Sequence, residues 1–274
     1  MQYDPIKRSL GKVFNQNPTL RKLFYLLLDW LLLRSWHIRK ELRALKKNGL
    51  QQPSILDAGS GFGQYTYRMS RLFPQAKILA ADIKPEQIAD CNRFFEKIDK
   101  AGQVKFQYAD LTQYKSEASY DLVLSIDVME HIEEDTRVFE NFYQSMKKGG
   151  VLLISTPSDQ GGSDVHDHDH DEEGVHGFVD EHVRDGYNIQ DIADKLKAAG
   201  FSRVDARYSY GAPGKISWKL SMKYPILMLG ASKLFFVLLP FYYLIVFPIA
   251  ALLNYFDVNL KHPTGTGLIV KAYK

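Results

Sequence analysis

Residues 54–63, SILDAGSGFG, decide the fold of this chain. A short apolar run ends in an acid and passes into glycines at alternate positions, and residues 64–72 read as a helix. A strand-to-helix turn this tight favours glycine, because its backbone adopts dihedral angles closed to residues with a Cβ and because a ligand must approach bare amide groups. The stretch therefore predicts a nucleotide-binding turn built on Gly59, Gly61 and Gly63.

The glycine spacing and the acid before it indicate which nucleotide the turn suits. Dinucleotide-binding folds use G-x-G-x-x-G and place a pyrophosphate at the helix N-terminus. Here the spacing is G-x-G-x-G, and Asp57 precedes the first glycine. A carboxylate at that position repels a pyrophosphate and suits a cationic amino group. The pattern therefore argues against a nicotinamide-dependent dehydrogenase.

Three further predicted strands end in or beside an acid, as the first one does. Residues 77–82 end at Asp82, residues 104–108 are followed by Asp110, and residues 120–126 are followed by Asp127. A carboxylate after the second strand can accept hydrogen bonds from both hydroxyls of a ribose. Four acids along one sheet edge favour a nucleoside with a positive end and disfavour a phosphate.

In this order the motifs resemble those of the class I S-adenosylmethionine-dependent methyltransferases. The resemblance covers about residues 50 to 210 and the C-terminal tail, and is closest to the branch that methylates quinone precursors and other small or lipid-like acceptors. It implies a Rossmann-like seven-stranded methyltransferase sheet and S-adenosyl-L-methionine as cofactor. It is carried by residues 57–63 (DAGSGFG), Asp82, Asp110, residues 121–132 (DLVLSIDVMEHI) and residues 148–157 (KGGVLLISTP).

The resemblance also implies a role for each motif residue. The glycine turn cradles the methionine part of the cofactor, and Asp82 holds the ribose. Asp110 meets the adenine amino group, with Leu111 beside the ring. The expected cofactor-binding residues are Asp57, Gly59, Ser60, Gly61, Gly63, Asp82, Ile83, Asp110, Leu111 and Asp127.

Glu130 and His131, after the fourth strand, are the candidate catalytic residues. Histidine titrates near neutrality, so His131 is a candidate general base. Two other roles are equally compatible with its position: lining the pocket, or capping the helix predicted over residues 133–146. Methyl transfer from a sulfonium depends mainly on alignment and desolvation, so such an enzyme needs no indispensable base.

Length, composition and charge set the class of protein. At 274 residues with 45% hydrophobic content, the chain can bury a full core. The lone cysteine, Cys91, excludes an internal disulfide and suits a reducing cytosol, and no signal peptide is visible. The net charge of +3 is uneven: residues 1–48 hold eleven basic and three acidic residues, and residues 215–261 five lysines and one acid. Basic residues interleaved with aliphatic ones argue against nucleic-acid binding.

Both basic segments are also strongly apolar. A helix is predicted to begin at Asn17-Pro18 and to continue through the apolar residues 23–33 as a basic helix to Asn48. Its apolar part is too short to cross a bilayer. Residues 234–253 carry no charge and match a transmembrane helix in length.

The expected strand pairing argues against a crossing by this second segment. In this fold the sixth strand, predicted at residues 201–208, pairs with a last strand at residues 267–273. A single crossing would place the two strands on opposite sides of the membrane. The segment is therefore expected to enter and leave one face, as a hairpin or as interfacial helices broken at Pro240 and Pro248. A soluble lid and a dimer interface are the alternatives. Flanking lysines can reach lipid phosphates: Lys215, Lys219, Lys223, Lys233 and Lys261.

Residues 163–174 alternate histidine and carboxylate. Ligands at i, i+2 and i+4 on a polar loop seldom form a specific metal site, so a solvated loop at the pocket mouth is expected and no metal. His182 and Arg184, which follow, either orient the acceptor or brace the loop.

Together the patterns predict four regions. Residues 1–48 form a basic, apolar helical extension, residues 49–211 the S-adenosylmethionine-binding core, residues 212–264 a hydrophobic membrane-associated insertion, and residues 265–274 the last strand. The predicted activity is methyl transfer to a hydrophobic or lipid-like small molecule, with O-methylation favoured over N- or C-methylation. A membrane-bound S-adenosylmethionine-binding protein without transferase activity is the alternative. The expected location is cytoplasmic, on the inner face of the membrane.

Overall fold

The computed structural model describes residues 17–161, 183–232 and 235–274. Within them lies a seven-stranded sheet of order β3-β2-β1-β4-β5-β7-β6, in which β1 to β5 run parallel and β7 is antiparallel to both its neighbours. The predicted Rossmann-like sheet is confirmed. The strands are β1 (Ser54–Ala58), β2 (Lys77–Asp82), β3 (Val104–Tyr108), β4 (Tyr120–Ile126), β5 (Met146–Pro157), β6 (Arg203–Ser209) and β7 (Gly267–Tyr273).

Helices cover both faces of the sheet, which is why its central strands read as nearly continuous apolar runs. Phe139, Phe142 and Leu196 cover one face, and Leu42, Met69 and Phe95 the other. The helices described are α1 (Pro18–Leu31), α2 (Leu33–Lys47), α3 (Gln64–Leu72), α4 (Pro85–Lys97), α5 (Asp135–Ser145), α6 (Ile189–Ala198), α7 (Ala212–Trp218), α8 (Tyr224–Ala231) and α9 (Phe235–Asn259).

The N-terminal extension differs from the single helix that the sequence predicted. Asn17 caps α1 as expected, accepting a hydrogen bond from the amide of Thr19 at 2.8 Å. At Leu32, however, the backbone becomes extended, with φ −85° and ψ 113°, and a separate helix follows. The break buries Leu32 and Leu33 and sends α1 and α2 along different paths. As a result α2 packs on the sheet while α1 reaches the glycine turn.

The insertion between β6 and β7 folds as an antiparallel helical hairpin. A π-helical turn (Lys219–Lys223) joins α7 to α8, and this arm packs against α9. The hydroxyl of Tyr242 donates to the carbonyl of Leu220 at 2.7 Å, and Ser217 Oγ donates to Asn254 Oδ1, also at 2.7 Å. These contacts pair later residues of the first arm with earlier residues of α9, so the two arms are antiparallel.

The expected breaks at Pro240 and Pro248 are wrong, because α9 is helical through both prolines. Helix α8 ends at Ala231 and α9 begins at Phe235, and the two arms contact each other without a break at either proline. The first arm begins just after β6 and the second ends shortly before β7; the register of these paired strands runs from Arg203 opposite Tyr273 to Ser209 opposite Gly267. The hairpin thus leaves and returns at one end of the sheet.

A buried polar cluster fastens the base of the hairpin to the core. The carboxylate of Asp257, on α9, accepts hydrogen bonds from His37 Nε2 at 2.8 Å and from the amides of Tyr210 and Gly214 at 3.1 and 3.0 Å. Burial lowers the pKa of His37. Its Nδ1 faces a guanidinium nitrogen of Arg207 at 3.2 Å, which fixes the tautomer that donates to Asp257. The cluster joins α2, α9 and the end of β6.

Replacing Asp257 by alanine should lower the free energy of unfolding by about 3 kcal/mol, because it leaves several buried donors without their acceptor. Urea unfolding followed by circular dichroism measures the change. Asp205→Ala is the matched control, since Asp205 pairs with Arg203 at the exposed surface and should cost nothing measurable. Equal effects of the two substitutions would contradict the anchoring role.

Candidate functional site

The glycine turn folds back on β2 and leaves one glycine facing open space. The amides of Gly59 and Ser60 both donate to the carbonyl of Ala81 at 2.9 Å. Gly59 has φ +78°, and a Cβ there would lie 2.3 Å from Val128, so no larger residue fits. Gly61 also has positive φ, yet a Cβ there would meet nothing within 4 Å. The turn therefore offers bare backbone to a ligand at Gly61.

Asp82 closes the turn from the end of β2. Its Oδ2 accepts the amide of Gly61 at 2.7 Å, and its Oδ1 accepts the amide of Lys84 at 2.9 Å. These bonds fix the carboxylate beside the turn and leave it the remaining lone pairs for a ligand. The next side chain, Ile83, is 59% exposed although it follows a buried strand. An apolar surface for a flat ring thus stands next to the carboxylate.

Asp57 is a deeply buried acid of the site. It is the next-to-last residue of β1, and the hydroxyl of Thr66 on α3 donates to its Oδ2. Burial, and to a smaller extent the nearby charge of Asp82, raise the pKa of Asp57 to about 7. A cationic group placed here would reverse that shift.

Asp110 and Leu111 follow β3 at the same edge of the sheet. Oδ1 of Asp110 accepts the amide of Thr112 at 2.9 Å and its hydroxyl at 2.7 Å, which is a turn-stabilising role. Leu111 is buried, and its carbonyl accepts a hydrogen bond from Asn141. These bonds hold both residues in place just beyond β3, and their contact with the adenine ring stays a prediction.

Asp127 pairs with Arg34, and Arg34 in turn contacts Tyr210; the sequence singled out neither residue. Arg34, from α2, forms an ion pair with the carboxylate of Asp127. The amide of Arg34 donates to the hydroxyl of Tyr210 at 3.2 Å. Asp127 and Tyr210 both have positive φ, at 51° and 55°, which is uncommon for residues other than glycine and marks local strain. The available signal was the arginine directly after the apolar stretch 23–33, which was predicted only to be part of a basic helix.

Glu130 and His131 lie in a 3-10 turn (Met129–His131) just beyond Asp127. Glu130 is almost fully buried and accepts a hydrogen bond from the hydroxyl of Thr156 at 3.2 Å. Burial, followed by the charge of Asp127, raises the pKa of Glu130 to about 8. His131 is partly exposed next to it. The turn therefore places a carboxyl that is mostly protonated at neutral pH beside an accessible imidazole.

Arg184 braces the wall of the site. Its guanidinium pairs with Asp135 and donates to Tyr187 at 2.8 Å and to the carbonyl of Ile132 at 2.7 Å. Of the two alternatives for this residue, the contacts favour bracing. His182 and the histidine-rich residues 163–174 lie outside the described residues. Among the residues that the structure does describe, no group of three His, Cys, Asp or Glu side chains is placed to hold a metal ion.

Asp57 near the end of β1, Asp82 at the end of β2, Asp110 beyond β3 and Asp127 beyond β4 all lie at the carboxyl edge of the parallel strands, and Asp82 bonds the open backbone of Gly61. This set of carboxyl groups fits a nucleoside that carries a positive charge. Three observations carry the fit: the fixed carboxylate of Asp82, the exposed side chain of Ile83, and the buried carboxyl of Asp57.

Comparison with known proteins agrees with this geometry. Residues 55–150 match a family model described as a methyltransferase domain. The malonyl-[acyl-carrier protein] O-methyltransferase 1 of Ilyobacter polytropus is 28% identical over 120 residues, covering 44% of this chain and 44% of its own. Over residues 55–150 the chain is thus similar to a methyltransferase domain.

Solved structures share the fold of this methyltransferase domain at low identity. The phosphoethanolamine N-methyltransferase 2 of Haemonchus contortus, in complex with S-adenosyl-L-methionine, superposes with a TM-score of 0.59 at 17% identity, covering 100% of this chain and 60% of that one. The [4+2]-cyclase SpnF superposes with a TM-score of 0.57 at 16% identity, covering 88% and 82%. One fold thus serves different reactions. The chain spans under half the length of the first curated relative it matches, so its activity remains to be argued from its own site.

Replacing Asp57 by asparagine should stabilise the ligand-free protein at alkaline pH. Because the folded-state pKa of about 7 exceeds the unfolded value near ~4, the folded form binds the extra proton between them and stability falls as pH rises through that window. Asparagine removes the penalty, so the free energy of unfolding should rise by about 2–4 kcal/mol at pH 8 and hardly change below pH ~4. Urea titrations at both pH values measure this.

The same variant should bind S-adenosylhomocysteine at least about tenfold more weakly, because a charge-assisted hydrogen bond is lost. Asp121→Asn is the matched control. Asp121 lies on β4 at the opposite end of the sheet and bonds Ser54 and Lys147. Unchanged affinity in Asp57→Asn would remove this carboxylate from the site.

Proposed function

We propose that the chain transfers a methyl group from S-adenosylmethionine to a hydrophobic or lipid-like small molecule at a membrane surface, with oxygen as the favoured acceptor atom. The observation that carries the proposal is the row of carboxyl groups around the bare glycine turn, next to a partly exposed turn that contains His131. The proposed location is the inner, cytoplasmic face of the membrane.

The cofactor would lie along the carboxyl edge of β1 to β4. Asp82 would hold the ribose hydroxyls, and the adenine would lie between Ile83 and Leu111 near Asp110. Asp57 and Asp127 would balance the positive charge of the methionine end over Gly59, Ser60, Gly61 and Gly63. S-adenosylmethionine supplies an electrophilic methyl group on a sulfonium, and the protein's contribution is alignment and exclusion of water.

Oxygen is favoured as acceptor for two reasons. Curated relatives of the domain are named malonyl-[acyl-carrier protein] O-methyltransferases. A carboxylate or an acidic phenol, such as that of a quinone precursor, is also already nucleophilic and needs no strong base. In this proposal Glu130 and His131 position the acceptor and accept a proton only where the acceptor brings one.

The membrane part of the proposal rests on the outer surface of the hairpin. Helix α9 is long and apolar enough to cross a membrane, with a mean hydropathy of 2.4, yet almost none of it is buried in the protein. Leu244 and Ile245 are 79% and 71% exposed. The residues more than half exposed on one stripe of α9, which we call the α9 stripe, are Val237, Phe241, Leu244, Ile245, Leu252 and Tyr255.

Charge on the hairpin complements an anionic bilayer. The first arm carries Lys215, Lys219 and Lys223 at helical spacing of four, and residues 206–256 contain no carboxylate. Each lysine near an anionic surface contributes about 1 kcal/mol. An apolar stripe of this length beside cations is typical of helices that lie in the membrane interface.

Incubation of the chain with methyl-labelled S-adenosylmethionine and a lipid extract should move label into the organic phase, and mild alkali should release it as volatile methanol if the product is an ester. Asp82→Ala should abolish most transfer and weaken S-adenosylhomocysteine binding. Binding of S-adenosylhomocysteine without label in any lipid or acyl fraction would favour the non-catalytic alternative. Label that resists alkali would indicate an ether, or N- or C-methylation.

Flotation with vesicles should recover the chain with anionic lipid. Leu244→Ser combined with Ile245→Ser should weaken partition at least about tenfold, since burial of each such side chain is worth roughly 1.5–3 kcal/mol. Tyr108→Ser is the matched control, because Tyr108 is 62% exposed on β3 at the other edge of the sheet. Equal partition of all three proteins would contradict the α9 stripe as the lipid contact.

A further inference from the structure

Helix α1 connects the proposed cofactor site to the exposed apolar surface of the hairpin. On its inner face Arg21 and Tyr25 are buried, and both donate to the carbonyl oxygen of Phe62, with Arg21 Nη2 at 2.9 Å. Phe62 lies between Gly61 and Gly63 in the glycine turn. One backbone oxygen of the turn is therefore held by two side chains of α1.

Further contacts secure the same face of α1. Arg21 pairs with Asp90 of α4 at 2.5 Å. Near the other end of the helix, Asp29 pairs with Arg68 of α3 and accepts a hydrogen bond from Gln64, the first residue of α3, at 2.8 Å. The position of α1 is thus linked to the turn and to the start of the helix that follows it.

The outer face of α1 is apolar and exposed. Leu20, Leu23, Leu27 and Trp30 follow helical spacing on the side opposite Arg21 and Tyr25, and all are more than a third exposed. The indole of Trp30 stacks on Phe247 of α9 at 5.8 Å between ring centroids. The outer face of α1 and the α9 stripe therefore belong to neighbouring helices in contact.

We infer that an anionic bilayer binds the outer face of α1 together with α9, and that this contact tightens cofactor binding at the glycine turn. The inference rests on the proposed function and adds its regulation. Lipid stabilises only the docked position of α1, because burying its outer leucines and Trp30 in the interface requires α1 to lie beside α9. The same docked position provides the hydrogen bonds to Phe62. Two ligands that favour one arrangement must strengthen each other's binding by the same factor.

The test compares the Kd of the full chain for S-adenosylhomocysteine in buffer, with phosphatidylcholine vesicles, and with vesicles containing about a quarter phosphatidylglycerol. Isothermal titration calorimetry measures each value. Anionic vesicles should lower the Kd at least about fivefold, and neutral vesicles much less. In flotation at limiting lipid, S-adenosylhomocysteine should strengthen vesicle binding by the same factor.

Two variants test the outer and the inner face of α1 separately. Leu23→Ser combined with Leu27→Ser should keep the S-adenosylhomocysteine Kd measured in buffer but lose the tightening by vesicles, while α9 still supports flotation. Tyr25→Phe keeps the ring and removes one hydrogen bond to Phe62. It should float normally and show a smaller tightening. Leu244→Ser is the control variant. It should need more lipid to bind vesicles, but once it is fully vesicle-bound its Kd for S-adenosylhomocysteine should fall by the same factor as that of the wild-type chain.

The failures can be told apart. A wild-type chain that is fully vesicle-bound and has the same Kd as in buffer overturns the inference and leaves the proposed transferase intact. Full tightening in the Leu23→Ser, Leu27→Ser variant also overturns it. A chain that binds no S-adenosylhomocysteine under any condition overturns the proposed function and, with it, the inference.

Discussion

The carboxyl groups at one edge of the parallel sheet set the constraint on which the rest of the site depends. Like charges held close together in a buried place cannot all ionise without compensation. The pKa of Asp57 is raised partly by Asp82, and that of Glu130 partly by Asp127. A fold gains nothing in stability from such an arrangement. It is retained where a ligand of opposite charge completes it.

The sequence predicted the sheet well because local signals and topology agreed there. Strands β2, β3, β4 and β7 and helix α3 fall where the sequence placed them. Each strand carries buried apolar residues between turn residues, and the glycine turn marks the start of α3. The positions of Asp57, Asp82 and Asp110 followed, because parallel strands present their carboxyl ends at one edge. Their roles toward a ligand remain predictions.

What the sequence missed depends on contacts between distant segments. Arg34 reaches Asp127 only because α2 packs on the sheet after the break at Leu32, and nothing local in residues 30–34 indicates an extended residue there. The grip of Arg21 and Tyr25 on Phe62 spans about 40 positions in the chain, and periodicity cannot show it. The prolines of α9 misled for the opposite reason: a local rule about helix breaking does not hold there, and the helix continues through both prolines.

The acids of the site differ in whether a cationic side chain already pairs with them. This difference indicates where a cationic ligand would gain the most binding free energy. Asp127 already has a guanidinium partner in Arg34, so a ligand's amino group must share or displace it. Asp57 instead contacts the neutral hydroxyl of Thr66 and sits in a fully buried place. Ionising it there costs free energy, and a cation brought close recovers that cost as binding free energy. In the proposed function, Asp57 would thus help to select a positively charged nucleoside at the expense of the stability of the ligand-free fold. The helix that covers the adjoining turn, α1, is the element through which we propose that a membrane surface acts on that selection.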